Sequence, residues 1–97
     1  MTAVAPESLH ALIEDALPLL MRGPVLDAVV AAQAIAGQPV TAHEARAARP
    51  VTRHARAFTT LAWSISRLGP DEHGRVLCNA GRDRKGFALW WVRGPAA

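Results

Sequence analysis

Tyrosine is absent from this 97-residue chain, phenylalanine occurs only at Phe58 and Phe87, and Cys78 is the sole cysteine. A single cysteine excludes an intramolecular disulfide framework. Its place in an apolar, strand-like run predicts a small buried hydrophobe rather than a reactive thiol. With so few aromatic residues, the core must rest on Leu, Ile, Val and many alanines, with Trp63, Trp90 and Trp91 as its large pieces. The first seven residues, Met1 to Glu7, carry no basic cluster. No apolar run approaches the ~18 to 20 residues needed to span a bilayer. These readings lead to the expectation of a soluble, cytoplasmic protein with no membrane contact.

The chain is equally poor in groups that do chemistry. His10, His43, His54 and His73 are scattered, no Cys/His pair has zinc-finger spacing, and no carboxylates are paired as two-metal chemistry requires. Ser64 and Ser66 lack a His and acid partner in any recognisable arrangement. Gly81 and Gly86 bracket Arg-Asp-Arg-Lys without the strand-to-helix context or the Lys-Ser/Thr pair of a phosphate-binding loop. The expectation is a protein that is not an enzyme, with no catalytic residue, no metal site and no cofactor.

What the chain does have is basic charge in one half. Through residue 45 one basic residue, Arg22, faces five acidic ones; from Arg46 onward ten basic residues face Asp71, Glu72 and Asp83, giving −4 and +7 within a net +3. Such a distribution points to a polyanion contact in the second half and leaves the first for packing or self-association, although an Arg-rich composition can also accompany a high-GC genome. The length and the 51% hydrophobic content suit one compact domain with a modest core.

Hydrophobic spacing orders the segments. Ser8 can cap a helix whose Leu9, Leu12, Ile13, Ala16 and Leu17 form one stripe, with Glu14 and Asp15 facing water. Pro18 ends or kinks it, and Arg22-Gly23-Pro24 predicts a firm break. A second helix runs from about Pro24 to Ala36, its Leu26, Val29, Val30, Ala32 and Ile35 too broadly apolar for a solvent-facing position. Thr41 followed by Glu44 is a capping-box pattern opening a short helix through about Arg49. After Pro50 comes a longer helix, with Thr52 available as cap and Ala55, Phe58, Leu61, Ala62, Ile65 and Leu68 on its apolar side. Arg75 to Val92 then read as two apolar strands joined by a turn at Gly81 to Gly86 that carries Arg82, Arg84 and Lys85. In the last strand Phe87, Leu89 and Trp91 share one side and Ala88, Trp90 and Val92 the other; one side covers the core, and Trp90, if exposed, stacks on a base, joins a dimer or is covered by the N-terminal helix.

The segment Gly37-Gln-Pro-Val-Thr-Ala-His-Glu-Ala-Arg46, followed by Val51-Thr-Arg-His-Ala-Arg56 and the basic hairpin, resembles the winged helix-turn-helix family of DNA-binding domains over residues 24 to 93. Two features depart from the family's pattern: the turn before the recognition helix is Ala48-Arg-Pro-Val51, and that helix is longer than usual. The resemblance implies a mainly α fold with a small β-hairpin, a winged helix-turn-helix preceded by an extra N-terminal helix. Residues 1–23 would be that helix and a dimerisation element, 24–93 the winged domain and 94–97 a flexible tail. It also implies that Thr52, Arg53, His54, Arg56 and Thr60 meet DNA from the recognition helix. Arg53 or Arg56 would read guanine, Thr52 and the first amides would hold a phosphate, and Arg82, Arg84 and Lys85 would contact the backbone or minor groove from the wing. Arg46 and Arg49 could add phosphate contacts. Against these stand plainer roles, a solvated helix face for Arg53 and Arg56 and a solubilising tip for the wing.

Two functional expectations follow. One is a small homodimeric protein that binds double-stranded DNA, as a transcriptional regulator or architectural factor. The other is a protein-interaction module on the same scaffold, a complex subunit or a phage-type inhibitor, pressing its basic wing onto an acidic protein partner. An exposed patch joining Trp90 to Leu19-Leu20-Met21, with Arg53 and Arg56 engaged by internal acids, would decide for the second. Binding to RNA or single strands through Trp90 ranks behind both.

Overall fold

The computed structural model describes residues 6–94, with side chains from Ala16 onward. Three helices, α1 (Pro6–Ala36), α2 (Ala42–Ala48) and α3 (Ala55–Ser66), precede an antiparallel pair of strands, β1 (Val76–Arg82) and β2 (Ala88–Arg93). The fold is mainly α with a small hairpin, and its element order is compatible with a winged helix-turn-helix. Side chains of Ser8, Leu9, Leu12, Ile13, Glu14 and Asp15 lie outside the described residues, as do residues 95–97 of the tail; the backbone of α1 is already helical at Pro6, ahead of Ser8.

The break expected at Arg22-Gly23-Pro24 does not occur: α1 is one helix of 31 residues with Pro18 and Pro24 inside it. Each proline removes a backbone donor and crowds the carbonyl four residues earlier, at a cost of about 3 kcal/mol. What offsets Pro24 is tertiary. Val25, Leu26, Ala28, Val29 and Ala32 follow it directly and are all buried in the core. The outer side of the same helix differs from the expected central helix, since Val30 and Ile35 are exposed, Ile35 by 85%. Continuity through Pro24 also overturns the expectation that no long apolar run exists. Ala16–Ala36 is one helical stretch of 21 residues with hydropathy 1.4, long and apolar enough by length and composition to cross a membrane.

From α2 come Ala42 and Ala45, from α3 Phe58, Ala62 and Ile65, and from the hairpin Leu77, Ala88, Trp90 and Val92, which join the buried face of α1 in one core, with β1 lying against α3 and β2 against α1. The core side of β2 is therefore the Ala88-Trp90-Val92 side. Trp90 is fully buried and meets Trp63 edge to face, with ring centroids 4.9 Å apart and an interplanar angle of 76°. It is neither a stacking platform nor part of an exposed patch. Cys78, paired with Trp91 on the other side of the sheet, is half-buried rather than buried.

The outer edge of β2 is covered at two points. Val40 and Trp90 exchange backbone hydrogen bonds, Val40 N–H to Trp90 C=O at 2.9 Å and Trp90 N–H to Val40 C=O at 2.7 Å. Two residues along, the carboxamide of Gln33 in α1 donates from Nε2 to the Val92 carbonyl at 3.0 Å and accepts the Val92 N–H at Oε1, 2.8 Å away. The groups that a free edge strand would leave open thus find a bridge residue and a helix side chain.

Candidate nucleic-acid interface

The helix pair is set by local hydrogen bonding. Thr41, next to the bridged Val40, makes the expected capping box: its Oγ1 accepts the Glu44 N–H at 3.2 Å and Glu44 Oε1 accepts the Thr41 N–H at 3.1 Å. The α3 cap differs from expectation. It is His54, whose Nδ1 accepts the Ala57 N–H at 3.1 Å, while Thr52 turns its hydroxyl to the His54 carbonyl at 2.9 Å. Histidine lies outside the usual Ser/Thr/Asp/Asn cap set, and α3 consequently starts at Ala55, two residues later than a Thr52 cap implies. At the far end the helix stops at Ser66, with Arg67 as C-cap, so Leu68 falls beyond it and is exposed.

Arg46 fixes the turn between the two helices. Its Nε donates to the Thr52 carbonyl at 3.0 Å and its Nη2 to the Arg53 carbonyl at 2.7 Å. This arginine, a candidate phosphate contact in the sequence, acts as a brace on the backbone that leads into α3.

With Phe58, Ala62 and Ile65 turned inward, α3 leaves Arg56, Thr60 and Arg67 exposed, at helix-face spacing, with Arg53 and His54 exposed just ahead of it. The Thr60 hydroxyl donates to the Arg56 carbonyl at 3.0 Å. Thr52 is half-buried and directed at the chain itself, so of the eight sequence-selected residues it is the least available.

The wing is shaped by Asp83. Its Oδ1 accepts the Lys85 and Phe87 N–H groups, both at 2.9 Å, and its own backbone bonds to Gly86 and Phe87 close the turn. Gly86 has φ +88°, a left-handed conformation that suits glycine. The Asp83 carboxylate is spent on backbone, and Arg84 and Lys85 stand exposed at the tip. A bulge at Ala80-Gly81 shifts the register between Asn79 and Arg82, with Asn79 Nδ2 donating to the Gly81 and Leu89 carbonyls at 3.2 and 3.1 Å. Arg82 then donates from Nη1 to the Gly86 carbonyl at 2.8 Å and remains exposed.

Helices and wing meet at a groove of about 440 Å³ whose walls include His54 and Arg56 from α3 and Arg82 from the wing. His43 of α2, also on this wall, packs edge-on against Phe87 with ring centroids 5.2 Å apart, which ties the wing's return to the start of α2. A second depression beside it is bordered by Arg84 and Lys85 together with Glu44 and Asp83, whose carboxylates are taken up by the cap and the turn. Arg53, Thr52 and Thr60 line neither. His43 and Phe87 went unselected in the sequence, where Phe87 read only as a strand residue.

The nearest strong ion pairing lies elsewhere. Arg75 donates to Asp71 at 3.0 Å and to Asp27 at 2.8 Å, joining the loop before β1 to α1. Burial tends to push the Asp71 carboxyl up, but hydrogen bonds from the Arg75 N–H and guanidinium and from the His73 N–H outweigh it and hold the group below the usual range. Among the described residues, Arg53, Arg56, Arg82, Arg84 and Lys85 have no carboxylate partner. Compared with known protein families, curated proteins and solved structures, the chain matches none.

Proposed function

We propose that this chain is a small winged-helix protein that binds double-stranded DNA, with the exposed face of α3 in the major groove and the wing on the flanking backbone. The observation that carries the reading is the groove shared by His54 and Arg56 at the start of α3 and Arg82 of the wing, with Arg84 and Lys85 beside it and no carboxylate partner for Arg56, Arg82, Arg84 or Lys85 among the described residues. A guanidinium fork on an exposed helical turn suits guanine O6 and N7, and exposed cations at a hairpin tip suit phosphates. In this reading Arg53 and Arg56 do the base reading and Thr60 touches the backbone. Transcriptional regulation or DNA architecture is the role, and two copies joined through the first half of α1 form the active unit. Leu19 and Leu20, 57% and 74% exposed on that helix, support such a contact.

The two features that would favour a protein-recognition module are not found among the described residues. Trp90 is buried and cannot join a patch with Leu19 and Leu20, and Arg53 and Arg56 have no internal acidic partner among the described residues.

Fluorescence anisotropy with random duplex DNA, matched single strand and duplex RNA at two salt concentrations tests the proposal, with an Arg82→Ala/Arg84→Ala/Lys85→Ala variant alongside. Duplex-DNA binding that weakens with salt and in the variant is the expected result. Absence of duplex binding at low salt rejects it.

A further inference from the structure

The groove between α2, α3 and the wing has a property that a phosphate contact alone does not call for. Its lining is largely apolar, with Ala42, Ala55, Phe87 and Ala88 among its residues, and its volume of about 440 Å³ falls in the range of small-molecule sites. The rim is cationic. Arg56 and Arg82 border it, and no carboxylate residue does. Arg82 uses only Nη1 within the chain, on the Gly86 carbonyl, and Arg56 has no side-chain partner among the described residues. His54 adds a donor of fixed identity. Because its Nδ1 accepts the Ala57 N–H, the neutral ring carries its proton on Nε2.

We infer that this groove binds a small anion with a flat apolar body, an aromatic carboxylate or aryl phosphate, its anionic head between Arg56 and Arg82 and its ring over Ala55, Phe87 and Ala88. Charge complementarity selects the head and the apolar lining selects the ring. Neither acetate, which lacks the ring, nor an uncharged aromatic alcohol satisfies both halves. The inference goes beyond DNA binding and does not require it: it concerns the free protein, so either reading can fail while the other stands.

The test uses the uniformly ¹⁵N-labelled full chain, titrated by NMR with 1-naphthoate, with 1-naphthalenemethanol and with acetate. Saturable shifts of the Ala42, Ala55, Phe87 and Ala88 amides are expected with 1-naphthoate, and affinity on the order of tenfold weaker or less for the two partial probes. Arg56→Gln/Arg82→Gln should weaken 1-naphthoate similarly, whereas Arg93→Gln, an exposed cation outside the groove, should bind as the wild type does. The comparison of the three probes on the wild-type chain stands even if the double variant folds poorly. No saturable shift at these amides, equal binding of the alcohol, or undiminished binding by a folded double variant each overturns the assignment.

Discussion

Gln33 and Val92, 59 positions apart in sequence, exchange two hydrogen bonds in which a side-chain carboxamide takes the place of a neighbouring strand's peptide group. The pair attaches α1 to the end of β2 opposite the turn, and the Val40–Trp90 bridge attaches the same strand to the start of α2. The wing is therefore anchored to both helices through its second strand.

Replacing Gln33 by alanine leaves the Val92 N–H and carbonyl without these partners in a part-buried setting. The expected loss is about 1–3 kcal/mol. Urea unfolding measures it, and a variant as stable as the wild type shows that the pair contributes nothing.

Gly23 lies in the middle of α1 directly before Pro24, and beyond its chain neighbours and the helix's own nearby backbone no atom comes within 4 Å of a Cβ built on it. Alanine there reduces the freedom of the unfolded chain, but in the helical conformation its Cβ meets the Pro24 ring, so the gain of roughly 0.5–1 kcal/mol usual for Gly→Ala in a helix should be cancelled or reversed in Gly23→Ala. A thermal midpoint raised by the full Gly→Ala increment contradicts a helical conformation at Gly23.

Asp71 sets an acid limb. Its carboxyl is depressed in the folded chain, so the stability it contributes is fully present above the unfolded carboxylate pKa of about 3.9 and is lost as pH falls from there through the lower folded value. Thermal melts between pH 6 and the acid range should show a falling midpoint below about pH 4. Asp71→Asn should be less stable at neutral pH and less pH-dependent across that acid window; parallel profiles for the two proteins refute the assignment.

On duplex DNA, Arg56→Ala and Arg84→Ala should behave differently. Loss of Arg56 is expected to cost about 1–3 kcal/mol on a selected site and little on random sequence. Loss of Arg84 should weaken all duplexes alike and reduce the salt slope by about one. Equal effects of Arg56→Ala on selected and random DNA remove the base-reading role.

For the proposed homodimer, analytical ultracentrifugation of Leu19→Glu/Leu20→Glu against the wild type is decisive. Both side chains are exposed, so the double change should separate the copies without unfolding them. A monomeric wild type rejects the dimer outright.

Local signals were the legible ones. The Thr41–Glu44 capping box spans three residues and needs no tertiary context, and the hairpin follows from two short apolar runs around glycine-bounded polar residues. The helix break failed because proline's cost is visible in sequence while the burial of Val25, Leu26 and Val29 that offsets it is not. Alternation in β2 defined two sides without saying which one packs, and both carried a tryptophan. The Arg46 brace and the Gln33–Val92 pair depend on where distant backbone groups arrive, and the His54 cap uses a residue type that composition does not mark. For the site, the sequence supplied the cations; the groove that gathers some of them, and the His43–Phe87 contact beside it, are products of the fold.

The Val40–Trp90 bridge makes the wing and α2 a single lever. Val40 is immediately followed by the cap of α2, and its partner sits in the middle of the wing's second strand, so two peptide hydrogen bonds join the strand to the start of that helix. Damage to sheet pairing need not stay in the sheet. Val40→Pro, which deletes one of those donors without touching any arginine proposed to contact DNA, would tilt α2 and the groove wall with it, and its lesion would be felt as altered ligand and duplex affinity, as though the basic surface itself had been edited.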